Sequence, residues 1–157
     1  MAEITRLELI KLIALASKSG LNLRGVDLSN ADLHHLSFVG VDLSYSNLSR
    51  VNLRQADLTN ANLHLANLVY ADLSEATLQS AILREANLCG ADLRNTDLRQ
   101  TDLREADLRD VNLRGADLSG ANLWKSNMKG AQLKYTNIEA AKGLPPEVER
   151  WLASNAP

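Results

Sequence analysis

Aspartate is the side chain whose number and spacing first suggest chemistry. Asp27, Asp32, Asp42, Asp57, Asp72, Asp92, Asp97, Asp102, Asp107 and Asp117 all share one phase of a five-residue period. Regularly spaced carboxylates can ligate calcium or act as an acid–base pair. Asparagine fills the same phase just as often, so the position selects a short turn-former rather than a charge. The glycine-rich Asp repeats of calcium-binding β-rolls are missing. His34, His35, His64 and Cys89 are the other candidates. Adjacent histidines hold a metal only with further ligands, and the lone cysteine lies far along the chain with no histidine placed to activate it. There is no nucleophile–base pair and no phosphate-cradling glycine loop. The sequence therefore assigns no catalytic, metal or cofactor-binding residue, and no enzyme activity or cofactor is expected.

The elements that carry these residues are set by repetition. From Leu21 to Ala140 the chain runs through 24 consecutive five-residue units, as in Ala56-Asp57-Leu58-Thr59-Asn60 and Ala61-Asn62-Leu63-His64-Leu65. The central position is Leu in 21 units, with Phe38, Met128 and Ile138 in the others. Two residues earlier the site is small or modest: Ala in thirteen units and Val, Ser or Thr in nine. A helix turns about 100° per residue, so a five-residue step sprays the leucine around the axis. In a flat strand an odd period flips it to the opposite face at each repeat. A coil with one pentapeptide per short side buries every leucine on a common axis.

The tandem Ala-(Asp/Asn)-Leu-X-X pattern resembles the pentapeptide-repeat family over 120 of the 157 residues. The resemblance implies an all-β solenoid, a right-handed quadrilateral parallel β-helix with twenty residues per coil. The period alone leaves the number of sides open. Applied here, the 24 units make about six coils and a rod about 25–30 Å long.

Repeat stacks need capped ends. Residues 1–20 read as an N-terminal helical cap ending at Gly20, residues 21–140 as the β-helix, and residues 141–157 as a C-terminal segment with a short helix. In that helix Pro145-Pro146 precedes Glu147–Leu152, and Val148, Trp151 and Leu152 share the side expected to lid the last coil. The alternative for either helix is a dimer contact, so the chain is a monomer or a dimer through a terminal helix. Net charge is −2 with the signs interspersed, which points to neither nucleic acid nor an anionic membrane. The N-terminal apolar stretch is too short to span a bilayer and lacks the basic start of a secretory signal, so a cytoplasmic location is expected.

Stacking residues twenty apart makes the surface legible. One column reads His34, Arg54, Ser74, Arg94, Arg114, Lys134. Its basic members, Arg54, Arg94, Arg114 and Lys134, repel unless something neutralises them. Asp72 and Asp92 on the same side would do so; otherwise an acidic partner docks there. A second group is apolar: Tyr45 and Leu65 at one outward position, His64 beside them, Ile82 where Asp or Asn belongs, and Val69 and Tyr70 on the next side. Such a cluster on a polar rod is a candidate protein contact, and Trp124 is a further outward aromatic.

Two functional readings follow. The first is a non-enzymatic protein-binding or scaffold module presenting a rigid rod, with another protein as its partner and a regulatory role. Proteins resembling this one are abundant in cyanobacteria, mostly without an assigned role. The second is a DNA mimic that binds gyrase or topoisomerase, as quinolone-resistance relatives do. Mimicry needs an unneutralised acidic face. The repeats carry 15 acidic and 12 basic residues, and Arg94, Arg99, Arg104, Arg109 and Arg114 fall in successive units on all four sides. They also lack the interrupting loop that many such relatives have.

Overall fold

The structure, a computed structural model, describes residues 7–8 and 21–155. Each Asp/Asn position forms a parallel bridge with the residue twenty ahead: Asn22 with Asp42, Asp27 with Asn47, and so on to Asn122 with Lys142. One circuit therefore takes four pentapeptides, and the chain is a four-sided β-solenoid. Each side is so short that extended pairing shrinks to one residue between corners.

The corners follow from backbone conformation. The carbonyl of each central residue accepts the N–H of the residue three later, as Leu58 O does from Ala61 N at 2.9 Å. The last residue of every unit has positive φ, for example Tyr45 at 60°, Leu65 at 56° and Gly115 at 72°. Negative φ followed by positive φ defines a type II turn. Glycine takes that position without strain, yet most units place another residue there and accept the cost.

Stacked circuits use the remaining backbone groups. Within one unit, Asn62 N donates to Val41 O of the preceding circuit (3.0 Å), while Leu63 N and Leu65 N donate to Ile82 O (2.7 Å) and Arg84 O (3.0 Å) of the next. Ala66 N closes the turn on Leu63 O (3.0 Å). The N–H left over, that of His64, goes to Asn62 Oδ1 at 3.1 Å. Asp does the same work, as Asp57 does for Thr59 N (3.0 Å). Only the Oδ1 atom is used, which is why Asp and Asn exchange freely.

Inside, Leu58, Leu63, Leu68 and Leu73 are each 0 % exposed and form one cluster with Phe38, Met128 and the buried alanines. The expected axis of leucines is present. Where Ser or Thr replaces Ala, its hydroxyl donates to a leucine carbonyl: Ser46 to Leu43 O (2.6 Å), Thr101 to Leu98 O (2.7 Å). A buried hydroxyl is thereby satisfied.

The C-terminal helix spans Pro146–Asn155. Val148 is fully buried on the core, and Leu144 and Trp151 pack partly against it. Leu152, expected beside them, is 37 % exposed, because the helix turns its 148–151 edge inward. Glu147 adds a second contact. Central N–H groups donate to the carbonyl nineteen residues on, as Leu123 N does to Lys142 O (2.8 Å). For Met128 the residue nineteen on is Glu147, and its Oε1 accepts the bond instead, at 2.9 Å. A side chain thus replaces the missing rung. The expected N-terminal cap, residues 1–20, lies outside the described residues except for Leu7 and Glu8, which are helical.

Two stability outcomes follow. Leu68→Ala should cost about 2–5 kcal/mol in urea denaturation, since neighbours pinned by bonds on both sides cannot collapse into the void. Glu147→Ala should cost about 1–3 kcal/mol by stranding the Met128 N–H, and should speed hydrogen exchange at that amide while leaving Leu68 protected.

Candidate functional site

The twenty-residue register assigns each outward side chain to one of four faces. The first carries residues 42–45, 62–65, 82–85 and their equivalents; the second 47–50 and 67–70; the third 52–55 and 92–95; the fourth 57–60 and 97–100.

Tyr45, His64, Leu65 and Ile82 come together on the first face. Tyr45, Leu65 and Ile82 are 47 %, 40 % and 43 % exposed. His64 Nδ1 lies 2.9 Å from Arg84 O, a contact in which Nδ1–H donates to the carbonyl. The His64 ring meets Tyr45 edge-on at 5.7 Å, and the Arg24 guanidinium lies 4.1 Å over the Tyr45 ring. Arg24 also donates to Ser44 Oγ (3.2 Å). These contacts hold the aromatic in one place. Ile82 is the only apolar residue at the Asp/Asn position, so the Arg84 N–H has no side-chain acceptor in its own unit. The Arg84 side chain bridges Glu85 (3.3 Å) and Glu105 (3.7 Å).

Val69 and Tyr70, expected to continue this group on the next side, stand on the second face. Val69 is half-buried. The Tyr70 ring lies along the next circuit, where a Cβ on Gly90 would sit 2.5 Å from Tyr70 Cε1. The Arg50 guanidinium is 5.7 Å from its ring centre. Trp124 is half-exposed lower on the first face, with Lys125 Nζ 4.1 Å from its ring.

The basic column lies on the third face, and its members differ in partners. Arg94 pairs with Asp92 at 2.7 Å, as expected. Asp72 makes no direct ion pair with the column, since its Oδ1 takes the Ser74 hydroxyl (2.6 Å) and N–H (2.9 Å), but its charge acts on Arg94 as expected. Arg54 instead reaches Glu75 at 2.7 Å. His34 contacts Asp32, and its ring meets His35 edge-on at 4.9 Å. Arg114 and Lys134 have no ion pair among the described residues, although Lys134 Nζ lies 4.8 Å from the Tyr135 ring centre. Cys89 is half-buried with a free thiol.

Four arginines in succession fold back onto the aspartate of their own unit. Arg94, Arg99, Arg104 and Arg109 bind Asp92, Asp97, Asp102 and Asp107, one pair per face. The bond from Arg99, Arg104 or Arg109 holds the Asp97, Asp102 and Asp107 carboxyls below the usual aspartate range and outweighs their desolvation. At Asp92 burial pushes the carboxyl up, but the Arg94 contacts bring the net shift down. Arg114, fifth in the series, departs from the expected pattern because Asn112 stands in its unit and offers no charge. Asparagine provides another way to engage these carboxylates: Asn47, Asn52 and Asn137 donate to Asp27, Asp32 and Asp117 of the preceding circuit (3.1, 2.9 and 3.1 Å).

A four-sided parallel solenoid built from five-residue units defines a repeat-solenoid class, and the comparisons with known proteins give the family. The family model described as pentapeptide repeats matches eight copies over residues 19–44, 37–73, 46–84, 71–110 and 112–142. The chain belongs to the pentapeptide-repeat family. Among solved structures it is similar to a pentapeptide repeat protein from the Arabidopsis thaliana thylakoid lumen, with 28 % identity, 84 % of this chain and 77 % of that chain covered, and a TM-score of 0.56. It is also similar to one from the cyanobacterium Cyanothece 51142, with 33 % identity, 83 % and 99 % covered, and a TM-score of 0.45. A third, HetL of the cyanobacterium Nostoc, involved in heterocyst differentiation regulation, has 27 % identity, 89 % and 95 % covered, and a TM-score of 0.36. No curated protein matches the chain.

The arginine pairs generate a pH prediction. A carboxyl whose folded pKa is depressed adds stability above its unfolded pKa, and that stability is lost as pH falls through the folded value. The urea midpoint should therefore hold near neutrality and decline from about pH 5 downward. Arg99→Ala, Arg104→Ala and Arg109→Ala combined should flatten the decline. Since these groups are largely solvated the effect is modest, and an identical acid limb in the triple variant would refute the assignment.

Proposed function

We propose that this chain is a non-enzymatic protein-binding or scaffold module, acting in the cytoplasm, which contacts a partner protein through the Tyr45–His64–Leu65–Ile82 face. The solenoid is read as right-handed, with 24 units at four per circuit making six coils. The C-terminal helix is read as a lid rather than a dimer contact, because Val148 and Glu147 are both spent on the last coil.

The observation that carries the reading is Ile82. Every other unit has a hydrogen-bonding side chain at this position, 20 of them Asp or Asn. Isoleucine forfeits that bond and exposes apolar surface. It does so beside two further outward apolar residues, one ordered by His64 and Arg24. Apolar residues gathered on one face of an otherwise polar rod, one of them held in place, fit a protein partner.

The DNA-mimic reading has less support. Four of the carboxylates a mimic would need are bound by arginine, one on each face. Gyrase supercoiling should accordingly be unaffected by micromolar protein.

Ile82→Asn separates structure from contact. By restoring an acceptor for Arg84 N–H it should raise stability by about 0.5–1.5 kcal/mol. Combined with Tyr45→Ser and Leu65→Ser, it should abolish partner recovery in pull-downs from the source organism. Recovery of the same partners by wild type and the folded triple variant would remove this face from consideration.

A further inference from the structure

The third face carries a separate feature near the C-terminal end of the rod. Arg94, Asn95, Arg114, Gly115 and Tyr135 line a shallow, open hollow of about 280 Å³. Each wall has a local cause. Arg94 is committed to Asp92. Asn95 folds over Gly115, where a Cβ would collide with its Oδ1, so glycine keeps the floor open. Tyr135 rises from the next circuit at 79 % exposure, in a left-handed corner (φ 65°) that aims its ring outward.

The charge at this hollow is unbalanced. Four preceding arginines each have an aspartate two residues earlier; Arg114 has Asn112, whose Oδ1 takes only the Arg114 N–H (3.3 Å). One circuit on, Lys134 follows Gln132, and its Nζ rests on the Tyr135 ring. Successive circuits lie about 5 Å apart, so a guanidinium and an ammonium with no carboxylate partner among the described residues flank one aromatic platform. Residues 111–142 hold Arg114, Lys125, Lys129, Lys134 and Lys142 against Asp117 and Glu139, five cations to two anions. Residues 21–80 have the opposite balance, with three arginines to five aspartates and one glutamate. The rod is thus charge-polarised along its length.

We propose that the hollow walled by Arg114 and Tyr135, with Lys134 beside the Tyr135 ring, is an anion-binding subsite for a Glu- or Asp-rich segment of a protein partner. Arg114 supplies the planar fork that receives a carboxylate through paired N–H bonds. Lys134 adds a point charge beside it, and Tyr135 an apolar surface for the methylenes of the acidic side chain. A long polyanion is disfavoured because the chain as a whole is net negative. This subsite lies on a different face from the Ile82 group, so either can fail without the other.

The test is titration of the full chain with hexaglutamate, followed through the Arg114 Nε–H and Tyr135 ring resonances. Inorganic phosphate and a single-stranded DNA hexamer are run in parallel. Hexaglutamate should shift both resonances saturably and lose affinity as salt rises. Arg114→Ala should weaken binding about ten-fold. Asn112→Asp should weaken it comparably while keeping the fold, because it gives Arg114 the internal carboxylate that its four predecessors have. Arg54→Ala, on the same face, should change nothing. Unaltered affinity in both Arg114→Ala and Asn112→Asp would overturn the proposal. So would tighter binding of the DNA hexamer, or saturation by phosphate at the concentrations at which hexaglutamate acts.

Discussion

One constraint governs the molecule: each pentapeptide must find acceptors for five backbone N–H groups while turning a corner. Three go to neighbouring circuits, one closes the turn, and the last has only the Oδ1 of the unit's own Asp or Asn. That allocation determines the rest. It makes the second position Asx, holds the fifth in the left-handed region, and points the central side chain to the axis. Buried donors are costly to leave unpaired, so departures from the pattern concentrate where another group steps in or where something besides stability is served. Function, in such a fold, has only the two free positions and the exceptions to work with.

Surface charge is shaped by the same arrangement. An aspartate that spends Oδ1 on the backbone still carries its charge, and adjacent circuits bring like charges close. Asn47, Asn52 and Asn137 meet it with an amide from the next circuit; Arg94, Arg99, Arg104 and Arg109 meet it with a guanidinium from within the unit. Acidic residues so engaged are part of the scaffold and poor recognition elements. Counting charges therefore misjudges this surface. Among what remains available are the apolar group around Ile82 and cations that have no ion pair among the described residues, Arg114 and Lys134 included.

Much of this was legible in the residues. The five-residue leucine period required a common axis, and the equal use of Asp and Asn marked a turn role. The four-sided circuit was supplied by family resemblance, because a period of five says nothing about how many corners close a turn. The face shared by Tyr45, His64, Leu65 and Ile82 followed once that register was known. Glu147 was not foreseeable as a rung, since its role depends on a nineteen-residue offset that only the docked helix realises. Tyr70 read as carrying the apolar group onto the next side; that its ring is laid along Gly90 was not legible. Asn112 did leave a trace: it breaks the Asp-Leu-Arg run that precedes it, and that break marks Arg114.

The central claim is that side chains twenty residues apart are nearest neighbours along one inner line. Methyl–methyl NOEs in a leucine-labelled, deuterated sample test it directly. The account predicts strong cross-peaks from Leu58 to Leu78 and from Leu78 to Leu98, repeated in all four columns. Cross-peaks at fifteen- or twenty-five-residue separations in their place would contradict it, since the circuit would then have three sides or five.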